Sequence, residues 1–205
     1  TLRYRSAAAS NDTISMYISN GDEYIPIVRS GTLTFHYYGY NGTTAFANQS
    51  AAATSISSQN INGVAVTGAY LATPGTAAEQ QFHTDNIATT YTGDSIWLGG
   101  TTNGTGWQWL SGTDMPNIVF SVGITGYGSY TNSTTGDVFP LRWNGGEPNG
   151  GVATGNCIVL YGNASNARTS WDDQPCSTAN RNAAWEYTAS APLGLGASPT
   201  SANYA

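Results

Sequence analysis

Trp143-Asn144-Gly145-Gly146-Glu147-Pro148-Asn149 packs a tryptophan, two glycines, a carboxylate and a carboxamide around one proline. The proline stiffens the backbone, and its two neighbours carry oxygen ligands. Further on, Ser170-Trp171-Asp172-Asp173-Gln174-Pro175-Cys176 sets two more carboxylates beside a cysteine. Taken alone, the first stretch reads most simply as a Gly/Pro surface turn with polar flanks. What surrounds it decides whether it is more than that.

The chain has 205 residues, enough for one domain with extensions, and 40% of them are hydrophobic. Only 9% are charged, there is no lysine, and the net charge is −6. Ordinary soluble proteins carry roughly 25% charged residues, so solubility here rests on Thr, Ser, Asn and Gly. The negative balance argues against nucleic acid or an anionic membrane as partner. No apolar run approaches the roughly 20 residues that span a bilayer, so no membrane insertion is expected. No signal-peptide pattern is present, and the chain reads as a mature or trimmed product. The polar composition suits a secreted or cell-surface protein. Two cysteines, Cys157 and Cys176, allow one disulfide or two buried thiols. Six Asn-x-Ser/Thr sequons begin at Asn11, Asn41, Asn48, Asn103, Asn132 and Asn163, and would make a glycoprotein in a host that glycosylates.

Residues 1–15 show little pattern and read as an arm or linker. Residues 24–28 are strand-like, and Pro26 places them at a sheet edge. Residues 33–40 continue an aromatic strand. Residues 43–55 lead through Ser50-Ala51-Ala52-Ala53 and predict a small-residue helix. Residues 70–73 form a short strand. Thr76 and Glu79 have capping-box spacing and start a helix over 76–89. Ser95-Ile96-Trp97-Leu98-Gly99-Gly100 is a buried strand, and Trp107-Gln108-Trp109 alternates like one. Residues 111–138 are a long excursion with one strand near 118–122. Residues 157–161 and 183–188 are the last apolar strands apart from the Trp171 stretch. Residues 190–205 are a Pro/Gly/Ala/Ser-rich tail or linker.

In this order the chain resembles the C-type lectin-like domain. The residues that carry the likeness are strand 24–28, helix 43–55, strand 70–73, helix 76–89 and Trp97-Leu98-Gly99. Trp107-Gln108-Trp109, Trp143, Glu147-Pro148-Asn149, Cys157, Trp171-Asp172-Asp173, Cys176 and Ala184-Trp185-Glu186 then follow. The likeness covers residues 16–189, with 111–138 as a long-loop insertion. It implies an α+β C-type lectin-like fold, two helices flanking small antiparallel sheets with a long calcium-binding loop. Cys157 and Cys176 take the place of the family's inner disulfide, closing a short loop worth about 3 kcal/mol. The family's other common bridge is absent, and Trp185 stands where its last cysteine falls; an indole packed on the alanine-rich helix would serve by burial.

The resemblance also implies a site. Glu147, Asn149, Asp172 and Asp173 become ligands of Ca2+, with Asp173 adding its backbone carbonyl, and the Glu147–Pro148 bond becomes cis. Vicinal hydroxyls of a neutral, mannose-type sugar would complete the coordination, held by Glu147, Asn149 and Asp172, with Trp143 stacking on the sugar face. Tyr127 and Tyr130 are further stacking candidates. Two departures matter. The family commonly has a second glutamate two residues before its first inner cysteine, and Gly155 stands there. Asp172 replaces the usual asparagine and, while ionised, donates no hydrogen bond. Calcium is therefore better supported than any particular sugar.

Other residues carry less. His36 and His83 lack ligand spacing and read as structural. Trp97, Trp107, Trp109 and Trp171 read as core, and Asp114 with Asp137 as a weak second calcium site. No catalytic triad, zinc cluster or phosphate loop is present. Adjacent strand residues point to opposite faces, so Asp172 and Asp173 do not make the opposed acid/base pair of a glycosidase, and no enzyme is expected. The expected function is a calcium-dependent carbohydrate-binding module of a secreted or surface protein, its partner a neutral carbohydrate or glycoprotein glycan, with weak sites used in multivalent display. The alternative is a structural subunit or repeat of an extracellular filament or adhesin that keeps the fold and self-assembles without binding sugar.

Overall fold

The computed structural model describes residues 16–17, 23–29, 32–61, 63–75, 80, 83, 95–110, 119–121, 127–131, 138–161, 170–189 and 193. They belong to two compact units. One takes in Thr1–Tyr38, Ser57–Ala69 and Tyr187–Ala205, the other Gly39–Ile56 and Tyr70–Glu186.

In the first unit, β1 (Met16–Tyr17) pairs with β2 (Glu23–Arg29), and β2 pairs antiparallel with the start of β3 (Thr32–Phe46). β1 covers only Glu23 and Tyr24 of β2. Pro26 lies opposite Phe35 on β3 and beyond the reach of β1. Among the described residues, a proline without an N–H therefore sits where β2 has no strand on its other side, as the sequence predicts. A second hairpin joins β4 (Ser58–Ile61) to β5 (Val64–Thr67). Its turn places Gly63 at φ 83°, and Asn60 Oδ1 accepts the Gly63 N–H at 2.9 Å. Leu193 N donates to the hydroxyl of buried Tyr37 at 2.5 Å, so the segment expected to be a tail is tied to β3 at that residue.

The second unit is built on β7 (Ile96–Thr102). β12 (Asn156–Leu160) runs antiparallel along one side of it, and β14 (Arg181–Ala189) runs parallel along the other, with Ala183 opposite Trp97. β13 (Trp171–Pro175) pairs with β12, and β6 (Tyr70–Leu71) pairs with β14. β8 (Trp107–Trp109) returns along β7 and is followed by β9 (Val119–Ser121). β10 (Tyr127–Thr131) and β11 (Val138–Arg142) form a hairpin. The one strand expected near 118–122 in the excursion 111–138 is β9, and the excursion also holds β10 and the start of β11.

The one helix described over its whole length is α1 (Gln49–Ile56). It begins later than the predicted 43–55, because β3 runs on through Phe46. Asn48 supplies the start: its Oδ1 accepts the Ala51 N–H at 2.7 Å, an N-cap bond that satisfies one of the helix's open donors. Gln49 is buried, and its Nε2 donates to the carbonyls of Leu98 at 2.7 Å and Gly100 at 3.0 Å, pinning α1 to β7. Of the helix predicted over 76–89 only Gln80 and His83 are described, and both are helical. The arm 1–15, Asp114 and Asp137 lie outside the described residues.

The core of this unit is Ala72, Ile96, Leu98, Trp107, Trp109, Leu141, Trp143, Ile158, Leu160, Trp171 and Ala184. β7 is buried on both faces, as its unbroken apolar run requires. Gly100 is needed there because the Ile158 side chain fills the space a Cβ would take. Trp185 is buried, with its indole against Gly39 of β3. Glu186 is buried as well. Its carboxylate accepts the Thr73 N–H at 2.8 Å and hydroxyl at 3.2 Å, and His83 Nε2 lies 3.7 Å away. His83 is thus a buried structural residue beside a carboxylate.

Candidate metal centre

The loop at 143–150 lies along the side of β13 that faces away from β12. Trp143 bridges to Trp171, and Asn144 N donates to Trp171 O at 2.7 Å. Two ring contacts anchor the loop from below: Trp143 meets Trp107 at 4.8 Å and Trp171 at 5.7 Å between centroids. The Glu147–Pro148 peptide is cis. Cys157 and Cys176 form a disulfide between β12 and the end of β13.

These constraints bring three acids together. Glu147, Asp172 and Asp173 each offer a carboxylate oxygen within 4.8 Å of the others. Strand alternation alone would send Asp172 and Asp173 to opposite faces, yet the carboxylates expected to share one ion lie close together. β13 has the 143–150 loop on its open side, and both carboxylates turn toward it. Asp173 Oδ1 accepts the Asn149 N–H at 2.7 Å, and its Oδ2 accepts that of Gly150 at 3.0 Å. Any side chain at Gly150 would run into Asp173 Oδ2, which is why glycine stands there. Glu147 folds over its own loop, Oε1 accepting Asn149 Nδ2 at 2.9 Å and Oε2 accepting Asn149 N at 3.0 Å.

Trp143 is corrected as a sugar-stacking residue. It is 0% exposed, so neither ring face is open to a ligand. Its position beside a surface loop looked like a platform, but the next two layers of indole cover it. Trp97, Trp107, Trp109 and Trp171 are buried, as expected for core. Tyr127 and Tyr130 fall on β10.

Three residues outside the expected set shape the site. Asn156 Nδ2 donates to Gly150 O at 3.0 Å and supports the loop from β12. Gln174 Nε2 donates to Asp172 Oδ2 at 2.8 Å, and Arg181 Nη2 donates to Gln174 Oε1 at 3.3 Å. Single-residue reading had no signal for them, because a polar residue beside a ligand looks like any other surface residue.

Gly155 has φ 103°, a conformation that L side chains rarely adopt. The backbone itself, and not only the residue type, bars the family's second glutamate from this position. Gly155→Glu is expected to lose about 1–2 kcal/mol of stability for forcing a non-glycine residue into that region. It should bring no gain in calcium affinity; thermal melts and calcium titration of the variant check both.

Burial, the charge of Asp172 and, further down, that of Asp173 push the Glu147 carboxyl above its ordinary value of 4.5. The Asn149 hydrogen bond opposes this. A raised native value means that the folded state holds this proton more tightly than the unfolded state does. Its contribution to stability is complete below the unfolded value and is lost as pH rises through the raised native value. Without a cation, stability from this group should therefore increase on mild acidification. A bound cation needs the carboxylate ionised, so calcium affinity should fall over the same range, above that of an ordinary glutamate. Calcium titrations at stepped pH check this sign.

The donor set fits a hard divalent cation. All three acids present oxygen, the Asn149 carboxamide lies against Glu147, and among the described residues no histidine or cysteine joins the group. Calcium takes six to eight such oxygens at flexible geometry, about 2.3–2.6 Å away.

No protein-family model matches the chain, and no curated protein matches it. Its structure is similar to those of C-type lectin-like proteins. A structure titled "Crystal structure of CEL-IV" is 18% identical, with 74% of this chain and 86% of that one covered and a TM-score of 0.47. One titled "SPL-1 - GlcNAc complex" is 17% identical, covering 74% and 87%, with a TM-score of 0.49. Ovocleidin-17, titled as a major protein of the Gallus gallus eggshell calcified layer, is 17% identical, covering 84% and 100%, with a TM-score of 0.46.

Proposed function

We propose that this chain is a calcium-dependent carbohydrate-binding module of an extracellular protein. The observation that carries the reading is the convergence of Glu147, Asp172 and Asp173 within 4.8 Å beside the Glu-Pro-Asn loop. Three carboxylates this close repel one another, and a divalent cation among them turns that repulsion into coordination. Asn149 would join through its carboxamide oxygen and Asp173 through its backbone carbonyl as well. Calcium supplies Lewis-acid coordination to ligand hydroxyls. The protein's part is to hold the four side chains and offer hydrogen bonds around the ion. The neutral, mannose-type sugar is the ligand class that the Glu-Pro-Asn form suggests. The disulfide fits an oxidising compartment. No helix among the described residues is long and apolar enough to cross a membrane.

A second reading has its own support. The φ of Gly155 excludes the family's second glutamate, and Trp143 is closed to a sugar. Both favour a structural subunit in which calcium acts as a rivet within a filament or adhesin. Retention on immobilised mannose and other neutral sugars, with calcium and then with a chelator, separates the two. Calcium-dependent retention is expected. A protein that melts lower in chelator yet binds no sugar in either buffer would leave the rivet and remove the lectin.

A further inference from the structure

Gln174 stands two residues after Asp172 on β13, and its amide reaches the Asp172 carboxylate. Its amide orientation is set from both ends. The Arg181 guanidinium can only donate, and it donates to Oε1 at 3.3 Å. An ionised Asp172 can only accept, and Oδ2 accepts from Nε2 at 2.8 Å. Arg181 is itself placed, 5.8 Å over the Trp97 ring. The amide nitrogen is therefore held against the carboxylate, and one of its two hydrogens is used there.

Asn149 repeats this arrangement. It lies two residues after Glu147, and its Nδ2 donates to Glu147 Oε1 at 2.9 Å. The acidic group is thus edged by two carboxylate–carboxamide pairs of the same form, one on the loop and one on β13. Each pair offers an acceptor oxygen and a second amide hydrogen. A hydroxyl needs both, since it donates one hydrogen bond and accepts others. Two adjacent hydroxyls need two such pairs, and carboxylate oxygens of Glu147 and Asp172 lie within 4.8 Å.

We infer that Asp172 and Gln174 form the second hydroxyl-binding pair of the site, with Gln174 as a specificity-determining residue for a vicinal diol. The inference rests on the lectin reading above. It answers the gap at Gly155: Asp172 supplies the acceptor that a glutamate there would give, and the donor that Asp172 cannot supply comes from Gln174 two residues later.

The test uses the full chain with mannose- and galactose-derivatised resins in calcium, beside isothermal titration of calcium alone. Wild-type protein is expected to be retained on at least one resin. Gln174→Ala should keep its calcium affinity within about twofold while sugar affinity falls about tenfold, the effect of one lost hydrogen bond. Gln174→Asn, with a shorter amide, should recover part of the loss, and Gln174→Glu, which accepts where Gln donates, should recover none. Equal sugar retention by wild type and Gln174→Ala overturns the inference and leaves the lectin reading standing. Calcium and sugar binding falling together in Gln174→Ala also overturns it, because Gln174 then only positions Asp172 for the ion. A wild type that binds calcium but neither sugar overturns both readings at once.

Discussion

Calcium at one hundred times its dissociation constant is expected to stabilise this protein by about 2.7 kcal/mol, or about 5–10 °C in melting temperature for a chain of this length, and a chelator to reverse it. The gain comes from ligands that are already gathered. Glu147, Asp172 and Asp173 place oxygens within 4.8 Å of one another, so little chain has to be ordered when the ion binds. The variants separate coordination from general stability. Glu147→Gln removes a carboxylate that burial and its acidic neighbours push toward protonation, but it also leaves one acceptor oxygen for two Asn149 donors, so the cation-free melting temperature should change little while the calcium response shrinks. Asp173→Asn should lower the cation-free melting temperature. Both oxygens of Asp173 accept N–H groups of Asn149 and Gly150, and a carboxamide offers only one acceptor oxygen. The double variant should show no calcium response. A response that survives in it would overturn the ligand assignment.

Trp143→Ala should cost about 3–5 kcal/mol, the usual range for truncating a buried large aromatic side chain. Since whole domains are stable by only about 5–15 kcal/mol, the variant should melt about 6–20 °C lower. The indole is 0% exposed and sits between Trp107 and Trp171, so its removal opens a cavity beneath the loop that carries Glu147. Calcium binding should weaken as well, because the loop loses its anchor. Trp143→Phe should restore part of both. Were Trp143 a sugar platform, Trp143→Ala would leave the melt unchanged and lower sugar retention alone.

Much of this architecture was legible because local chemistry and fold agreed. Ile96-Trp97-Leu98 is an apolar run too short for a helix and is buried on both faces in β7. Two cysteines permit one bridge, and Cys157 and Cys176 form it. Asn62-Gly63 between Ile61 and Val64 is the commonest short hairpin signature, and β4–β5 forms around it. The helix start was misplaced because small residues from Ala45 onward look helical together, whereas Asn48 alone caps.

By itself the sequence determined the main strands of the second unit, the two cysteines available for a bridge and the identity of the acids, all properties of residue type and order. The tertiary structure decided three things that depend on where a strand's open side faces. It buried Trp143 under neighbouring indoles. It turned Asp172 and Asp173, adjacent on one strand, toward a common loop. It gave Gly155 a backbone that no glutamate readily adopts. Each is a matter of distances across the fold, which neither periodicity nor motif spacing encodes.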